Sequence, residues 1–155
     1  MTSAEYRAEG LIGPADPYVV AVNGPRISPL VRGESDPPFI VGTVFPVGVE
    51  YVAIHRESRE VVGGGYTYEA AVINKSGEPV GTDLFLQQEY APISAIIYSG
   101  SDALDYPTGR LRHSTLVVHN PLAISPVPRG LLSAYREYWA DVESSQVRWE
   151  DVAPG

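Results

Sequence analysis

Three histidines are the side chains of this sequence best suited to proton transfer near neutral pH: His55, His113 and His119. If residues 113–119 form one strand, His113 and His119 share a face but lie about 20 Å apart, six steps of ~3.3 Å. Imidazoles at that distance can neither hold one metal ion nor act as one acid–base pair. His55 could approach either of them through the sheet.

Two arginines, Arg110 and Arg112, lie just before His113 in the sequence. Residues 112–116 (RHSTL) resemble one half of the His-x-Thr signature of two-histidine phosphoesterases, in which paired motifs surround a phosphate. The other histidines of the chain are not followed by this pattern. General acid and base catalysis needs both partners, so a structural histidine is the favoured interpretation. Phosphoester hydrolysis remains the rival hypothesis.

Polar residues close an apolar strand where His119 and Asn120 precede Pro121. An asparagine before proline favours an extended or turn conformation, and its side chain can bond backbone groups of the turn. We therefore predict a structural role for Asn120. The alternative is a ligand site, since clefts are commonly built at strand ends. The candidate ligand-binding residues are His119, Asn120, His113, Arg112 and Arg110.

Several kinds of chemistry are excluded or unsupported. The chain has no cysteine, which excludes disulfides, thiolate metal sites and thiol nucleophiles. No Ser-His-Asp arrangement or carboxylate pair stands out. Gly63-Gly64-Gly65 precedes a strand and lacks a following Lys-Ser/Thr, so a turn or bulge is a better interpretation than a phosphate loop. We expect no metal site and no cofactor, and we favour a protein that is not an enzyme.

The composition indicates one domain rich in turns. A chain of 155 residues can bury one sizeable core, so we predict a single domain over 1–155 with 1–13 and 143–155 peripheral. Its 14 prolines and 15 glycines favour short elements. The net charge of −8 disfavours attachment to a nucleic-acid backbone.

Short apolar runs bounded by turn residues predict most of the secondary structure as strands. The predicted strands are 18–22, 39–44, 49–55, 66–73, 80–86, 93–99 and 114–119. The continuous β-branched run 18–22 predicts a strand buried on both faces near the centre of a sheet. Residues 74–78 (NKSGE) predict a hairpin turn.

Two segments have helical character. Residues 3–9 are expected to form a short helix, and apolar residues recur at helical spacing over 131–142 with Arg136, Glu137 and Asp141 opposite. The predicted fold is therefore α+β, an antiparallel or mixed β-sheet with a C-terminal amphipathic helix. A β-sandwich or small barrel is the alternative.

A resemblance to a known group rests on four segments in chain order: 17–23, 93–99, 119–123 and 126–132. Over about residues 14–140 they resemble the C-terminal half of uncharacterised bacterial restriction-endonuclease-like proteins. In such nucleases, Asp and Glu-x-Lys hold Mg²⁺ and polarise water. Here Lys75 has Ile73 two residues before it, so that motif is absent. The resemblance implies that the catalytic part lies before Met1 or has been lost.

The expected location is the bacterial cytoplasm. The start, MTSAEYRAEG, lacks the basic and apolar parts of a secretion signal, and no stretch of ~18 apolar residues occurs. The favoured function is a non-catalytic binding or assembly module, with a protein partner or self-association and without membrane or nucleic acid. The alternative is a phosphoester hydrolase or a remnant of a nuclease fold.

Overall fold

The structure is a computed structural model that describes residues 3–24, 37–100, 115–141 and 148–152. The strands in these ranges are β1 Val19–Asn23, β2 Val47–Ile54, β3 Val61–Tyr68, β4 Ala71–Ile73, β5 Pro79–Gly81, β6 Ala95–Ser99, β7 Thr115–His119, β8 Arg136–Asp141 and β9 Arg148–Val152. The helices are α1 Ser3–Ala8 and α2 Val41–Val44, with 3₁₀ helices at Leu84–Leu86 and Gln88–Tyr90.

A five-stranded mixed sheet forms the body, in the order β1-β6-β7-β8-β9. Strand β1 is parallel to β6 and β7 is parallel to β8, whereas β6 with β7 and β8 with β9 are antiparallel. The α+β class with a mixed sheet is confirmed, and none of the sheets in the described residues closes into a barrel. Part of the segment 143–155 supplies β9 at one edge.

One face of this sheet carries the larger core. Helix α2 and the 3₁₀ helix Leu84–Leu86 pack there against alternate residues of the central strands, which point to the same side. The rings of Phe45 and Phe85 meet edge to face with centroids 5.8 Å apart, a favourable aromatic geometry. The buried members of this core are Ile40, Val41, Val44, Phe45, Phe85, Tyr98, Leu116, Val118 and Tyr138.

The opposite face is covered by the connection from β7 to β8. Parallel strands need a crossover of a dozen residues or more, and residues 120–135 provide it. Val127 from this crossover is buried against Ala95 and Val117, with Leu132 and Tyr135 packed beside them. The crossover therefore carries the second, smaller core and brings β8 alongside β7.

The predicted C-terminal helix over 131–142 is wrong. Residues 136–141 form strand β8, and Gly130 adopts a left-handed φ of 79° in the turn before it. Tyr138 and Trp139, together with neighbouring Tyr135, are residue types that favour strands, and short apolar segments fit either period. Hydrogen bonding to β7 on one side and β9 on the other decides for the strand.

Three further strand predictions need correction. Residues 39–44 contain helix α2, in which Val41 and Val44 both face the core. Residues 84–86 form a 3₁₀ helix, with Phe85 buried. Strand β1 lies at one edge of the described sheet, and its last three residues are exposed. The predicted central position, buried on both faces, is therefore wrong, because a β-branched run favours a strand at an edge as well as at the centre.

Two antiparallel pairs lie outside the main sheet, β2 with β3 and β4 with β5. The predicted turn at 74–78 is confirmed, because Asn74 Oδ1 accepts hydrogen bonds from the backbone N–H groups of Ser76 and Glu78 at 2.8 and 3.0 Å. The β2–β3 hairpin joins the body at Val47, which packs against the larger core.

Candidate functional site

His119 lies at the end of β7 and faces the smaller core. Its side chain is 2% exposed, and its Nε2 atom lies 2.8 Å from Oε2 of Glu137, which is equally buried. The parallel register places Val117 beside Glu137, so that Glu137 and Trp139 point to the same sheet face as His119. The sequence-predicted histidine is therefore half of a buried imidazole–carboxyl pair.

The hydrogen bonds of this pair indicate its protonation. We assign the imidazole proton to Nε2, which donates to the Glu137 carboxyl group. His119 Nδ1 is buried and has no hydrogen-bond partner among the described residues. A charged imidazolium would place an unpaired N–H donor there, which is costly, whereas the neutral ring leaves only a lone pair.

Burial is the largest influence on the pKa of His119 and lowers it below the usual value. The hydrogen bond that His119 donates to Glu137 and the charge of Glu137 raise the pKa, whereas the Arg129 charge lowers it further. The direction agrees with the unpaired Nδ1, since both favour neutral histidine.

An aromatic stack encloses the pair. The Trp139 indole is parallel to the His119 ring within 8°, with centroids 3.5 Å apart, and the Arg129 guanidinium carbon lies 4.8 Å from the Trp139 centroid. Stacking fixes the orientation of the imidazole, and the arginine above an indole contributes a cation–π attraction. Residues of the crossover and of β8 therefore surround His119, which lies on β7.

The His119–Glu137 geometry matches the base and orienting acid of a nucleophilic site. In such sites the second ring nitrogen faces a hydroxyl or thiol nucleophile. Within the described residues no such group reaches Nδ1, and the ring is closed to solvent. The pair joins β7 to β8 beneath the smaller core.

Asn120 stabilises the turn after β7, as predicted from the sequence. Its Nδ2 atom donates to the backbone carbonyls of Tyr90 and Ile93, each at 2.9 Å, and its Oδ1 accepts from the Leu122 N–H at 2.9 Å. Both amide protons are used and the residue is 3% exposed. Its donors are therefore occupied by the protein.

Replacement of Asn120 by alanine is expected to lower the free energy of unfolding by about 2–3 kcal/mol, because a buried side chain and its three bonds to partly buried backbone groups are lost. Urea unfolding of both proteins measures the change. Asn74→Ala is the matched control, since Asn74 bonds a similar but exposed turn and should cost about 1 kcal/mol or less. Equal losses at the two positions would contradict the buried role of Asn120.

Among the remaining sequence-predicted residues, His55 is described by the structure and does not join this cluster. His55 lies at the end of β2 in the two-stranded hairpin and is exposed, with Nδ1 3.2 Å from Ser58 Oγ. Arg110, Arg112 and His113 lie outside the described residues, so their candidacy stays a prediction. In the ranges that the structure does describe, no group of three or more potential metal-ligating side chains occurs, and no helix is long and apolar enough to cross a membrane.

The β2–β3 hairpin exposes large apolar side chains on both faces. Neighbouring residues of a strand point to opposite faces, and both Tyr51 and Val52 are at least half exposed. The large apolar residues of the hairpin that are 50–74% exposed are Val49, Tyr51, Val52, Ile54, Val61, Val62 and Tyr68. Such a concentration on a monomer typically marks an interaction surface.

Glycines form the middle of β3 and leave its backbone uncovered. Gly64 and Gly65 lie opposite Val52 and Tyr51, and the register shift beside Gly63 agrees with the predicted bulge. A Cβ at Gly64 would lie 3.0 Å from the Tyr51 carbonyl oxygen, so this close approach favours glycine. The three glycines allow the close approach of β2 and β3 and leave the backbone of β3 uncovered; they lie in a strand and not in a phosphate loop.

A cleft of about 280 Å³ lies where the hairpin meets α2. Pro37, Pro38 and Phe39 line one part, and Glu50 and Tyr66 of the hairpin line another. The cleft extends the apolar surface of the hairpin towards the body.

Sequence reasoning missed Glu137 and the hairpin as functional features. The helical interpretation put Glu137 on a solvated face, and only its alternation with Tyr138 and Trp139 in a strand could have indicated burial. The density of Val, Ile and Tyr in 47–68 was visible, but exposure on both faces was not. Ser94, also missed, is 1% exposed and donates from Oγ to the Ser125 carbonyl at 2.6 Å.

Comparison of the chain with protein families, curated proteins and solved structures found no significant match. The resemblance to restriction-endonuclease-like proteins therefore stays a prediction.

Proposed function

We propose that this protein is a non-catalytic binding or assembly module of the cytoplasm, and that its β2–β3 hairpin is the surface that contacts a protein partner. The main support for this proposal is that the large apolar side chains of the two-stranded hairpin are exposed on both faces. The buried His119–Glu137 pair supports a non-catalytic role, since solvent does not reach it.

The low stability expected of an isolated hairpin supports the binding of a partner. A two-stranded hairpin is marginal in water, whereas three strands or a packed face can be stable. Here β2 and β3 have only each other as strand neighbours within the described chain. Large apolar side chains of the hairpin are exposed on both of its faces. A partner that supplies a further strand or an apolar surface would stabilise the hairpin.

The chemistry of the surface favours a polypeptide as the partner. The strand edge offers backbone N–H and C=O groups, which another strand matches, and the faces offer Val, Ile and Tyr side chains. The net charge of −8 opposes binding to a phosphate backbone.

A photo-crosslinking benzoylphenylalanine in place of Tyr51 tests the proposal inside the cells that produce the protein. Tyr51 is 50% exposed on the hairpin, and Leu11, which is 63% exposed after α1, is the matched control position. We expect protein crosslinks from position 51 and few from position 11, with mass spectrometry identifying the acceptor. Absence of crosslinks from position 51, or equal yields at both positions, would overturn the proposed role of the hairpin.

A further inference from the structure

The cleft between α2 and the hairpin combines two aromatic rings with one carboxylate. Phe39, which is 44% exposed just before α2, lines one side, and Glu50 and Tyr66 of the hairpin line the other. Glu50 and Tyr66 are direct partners in the register of β2 and β3, so their side chains leave the sheet on the same face with Cβ atoms about 4.5–5.5 Å apart. The carboxylate of Glu50 is therefore a neighbour of an aromatic side chain at the cleft.

The charge around this cleft has one sign. Segments 37–54 and 66–73 contain α2, β2, the end of β3 and β4, and their only charged side chains are Glu50 and Glu69. Glu69 borders the cleft, because a Cβ at the lining residue Gly48 would lie 3.2 Å from the Glu69 Cβ. Neither carboxylate takes part in an ion pair within the described residues. A cation is the complementary group, and the net charge of −8 attracts it over long range.

The size of the cleft indicates what a ligand inserts. Proteins bind whole small molecules in pockets of roughly 300–1,000 Å³. This cleft, with about 280 Å³, is smaller and suits one side chain of a larger partner. Arginine has the matching chemistry, because its planar guanidinium stacks on aromatic rings and binds a carboxylate through two parallel hydrogen bonds. Lysine carries the same charge on a compact head without this planar match.

A bulge in β2 lies at the same place. The register shifts between Val47 and Glu50, so that Gly48 and Val49 lie opposite Thr67 alone, and the Val49 N–H donates to Thr67 Oγ1 at 2.8 Å. Bulges bend a strand, redirect side chains and are common beside active sites. The position of this bulge, directly before Glu50 and within the lining of the cleft, agrees with a binding role.

We propose that this cleft binds an arginine side chain of the protein partner, with the guanidinium on the Glu50 carboxylate and against the rings of Phe39 and Tyr66. The inference rests on the proposed function of the hairpin as a contact surface and names the chemistry of the partner at one end of that surface. Apolar residues beside the arginine would contact Val52, which points to the same face of β2 as Glu50 and is 58% exposed.

Binding of short peptides to the full chain tests the proposal. The probe is an acetylated and amidated pentapeptide with a central arginine, and its match carries citrulline, which keeps the planar head and removes the charge. Amide chemical shifts of Gly42 and Gly48, which both line the cleft, report binding by NMR. We expect the arginine peptide to shift both amides and the citrulline peptide to bind about three- to tenfold more weakly.

Glu50→Gln tests the place of the charge. Its affinity for the arginine peptide should fall about three- to tenfold. Glu57→Gln removes the same charge in the exposed turn between β2 and β3 and should leave the affinity unchanged. Amide shifts outside the cleft show that both variants are folded. Equal affinity for the two peptides, equal affinity of the two variants, or no response of the Gly42 and Gly48 amides would overturn the arginine site.

The outcomes separate this inference from the proposed function. Tyr51 points to the opposite face of β2 from Glu50, so a crosslink from position 51 reports a different part of the hairpin. If the cleft does not respond to the arginine peptide and position 51 still crosslinks a protein in cells, the arginine site fails and the contact surface stands. If Glu50 is needed for arginine binding and position 51 yields no crosslinks, the proposed role of the hairpin fails and the arginine site stands.

Discussion

Replacement of Glu137 by alanine is expected to lower the free energy of unfolding by about 3–5 kcal/mol. The variant leaves the Nε2–H group of His119 without its acceptor in a site where both side chains are 2% exposed. It also opens a cavity beside the Trp139 stack, and cavity loss adds to the unpaired polar group. Urea unfolding followed by tryptophan fluorescence measures the effect.

Two variants show whether the loss comes from the pair. Glu137→Gln keeps an oxygen acceptor for His119 and should cost about 1–2 kcal/mol. The double variant His119→Phe/Glu137→Leu removes both polar partners and keeps a ring beside Trp139, so its stability should be closer to that of the parent than the stability of Glu137→Ala is. A loss below about 1 kcal/mol for Glu137→Ala would show that water reaches the site.

Replacement of Phe85 by alanine is also expected to cost about 3–5 kcal/mol, as large buried aromatic truncations do. Phe85 is 1% exposed and meets the fully buried Phe45 edge to face. Because Phe45 lies two residues before β2, the same change should loosen the base of the hairpin. Urea unfolding gives the stability, and hydrogen exchange of β2 amides reports the hairpin.

Phe39→Ala is the control for this prediction, since Phe39 is 44% exposed on the cleft. It should change the free energy of unfolding by about 1 kcal/mol or less. Similar losses of unfolding free energy for Phe39→Ala and Phe85→Ala would contradict the conclusion that the Phe45–Phe85 contact is part of the core. Faster exchange of β2 amides in the Phe85 variant alone would support a link between core and hairpin.

Local sequence determined the elements whose signals are short-range. Apolar runs bounded by Gly, Pro or Asn located β6 and β7, and Asn74 specified its turn through bonds to residues two and four positions later. The bond from Leu122 to Asn120 is equally local, which is why its turn role was predictable. Such interactions form between near neighbours and need no tertiary partner.

Nonlocal pairing decided the C-terminal segment and the buried pair. The residues of β8 have a spacing that fits a helix, and they become a strand because β7 and β9 supply backbone partners. That register turns Glu137 inward to meet His119, 18 residues earlier in the chain. The sequence thus identified His119 as unusual but placed Glu137 on the wrong side.

The hairpin shows the same division. The sequence determined that residues 47–68 are rich in Val, Ile, Tyr and Gly and therefore favour strands. Only the tertiary structure decided that β2 and β3 pair outside the main sheet and keep both faces exposed. Apolar side chains favour burial wherever a surface is offered, and whether that surface lies in the same chain depends on where the remaining elements pack.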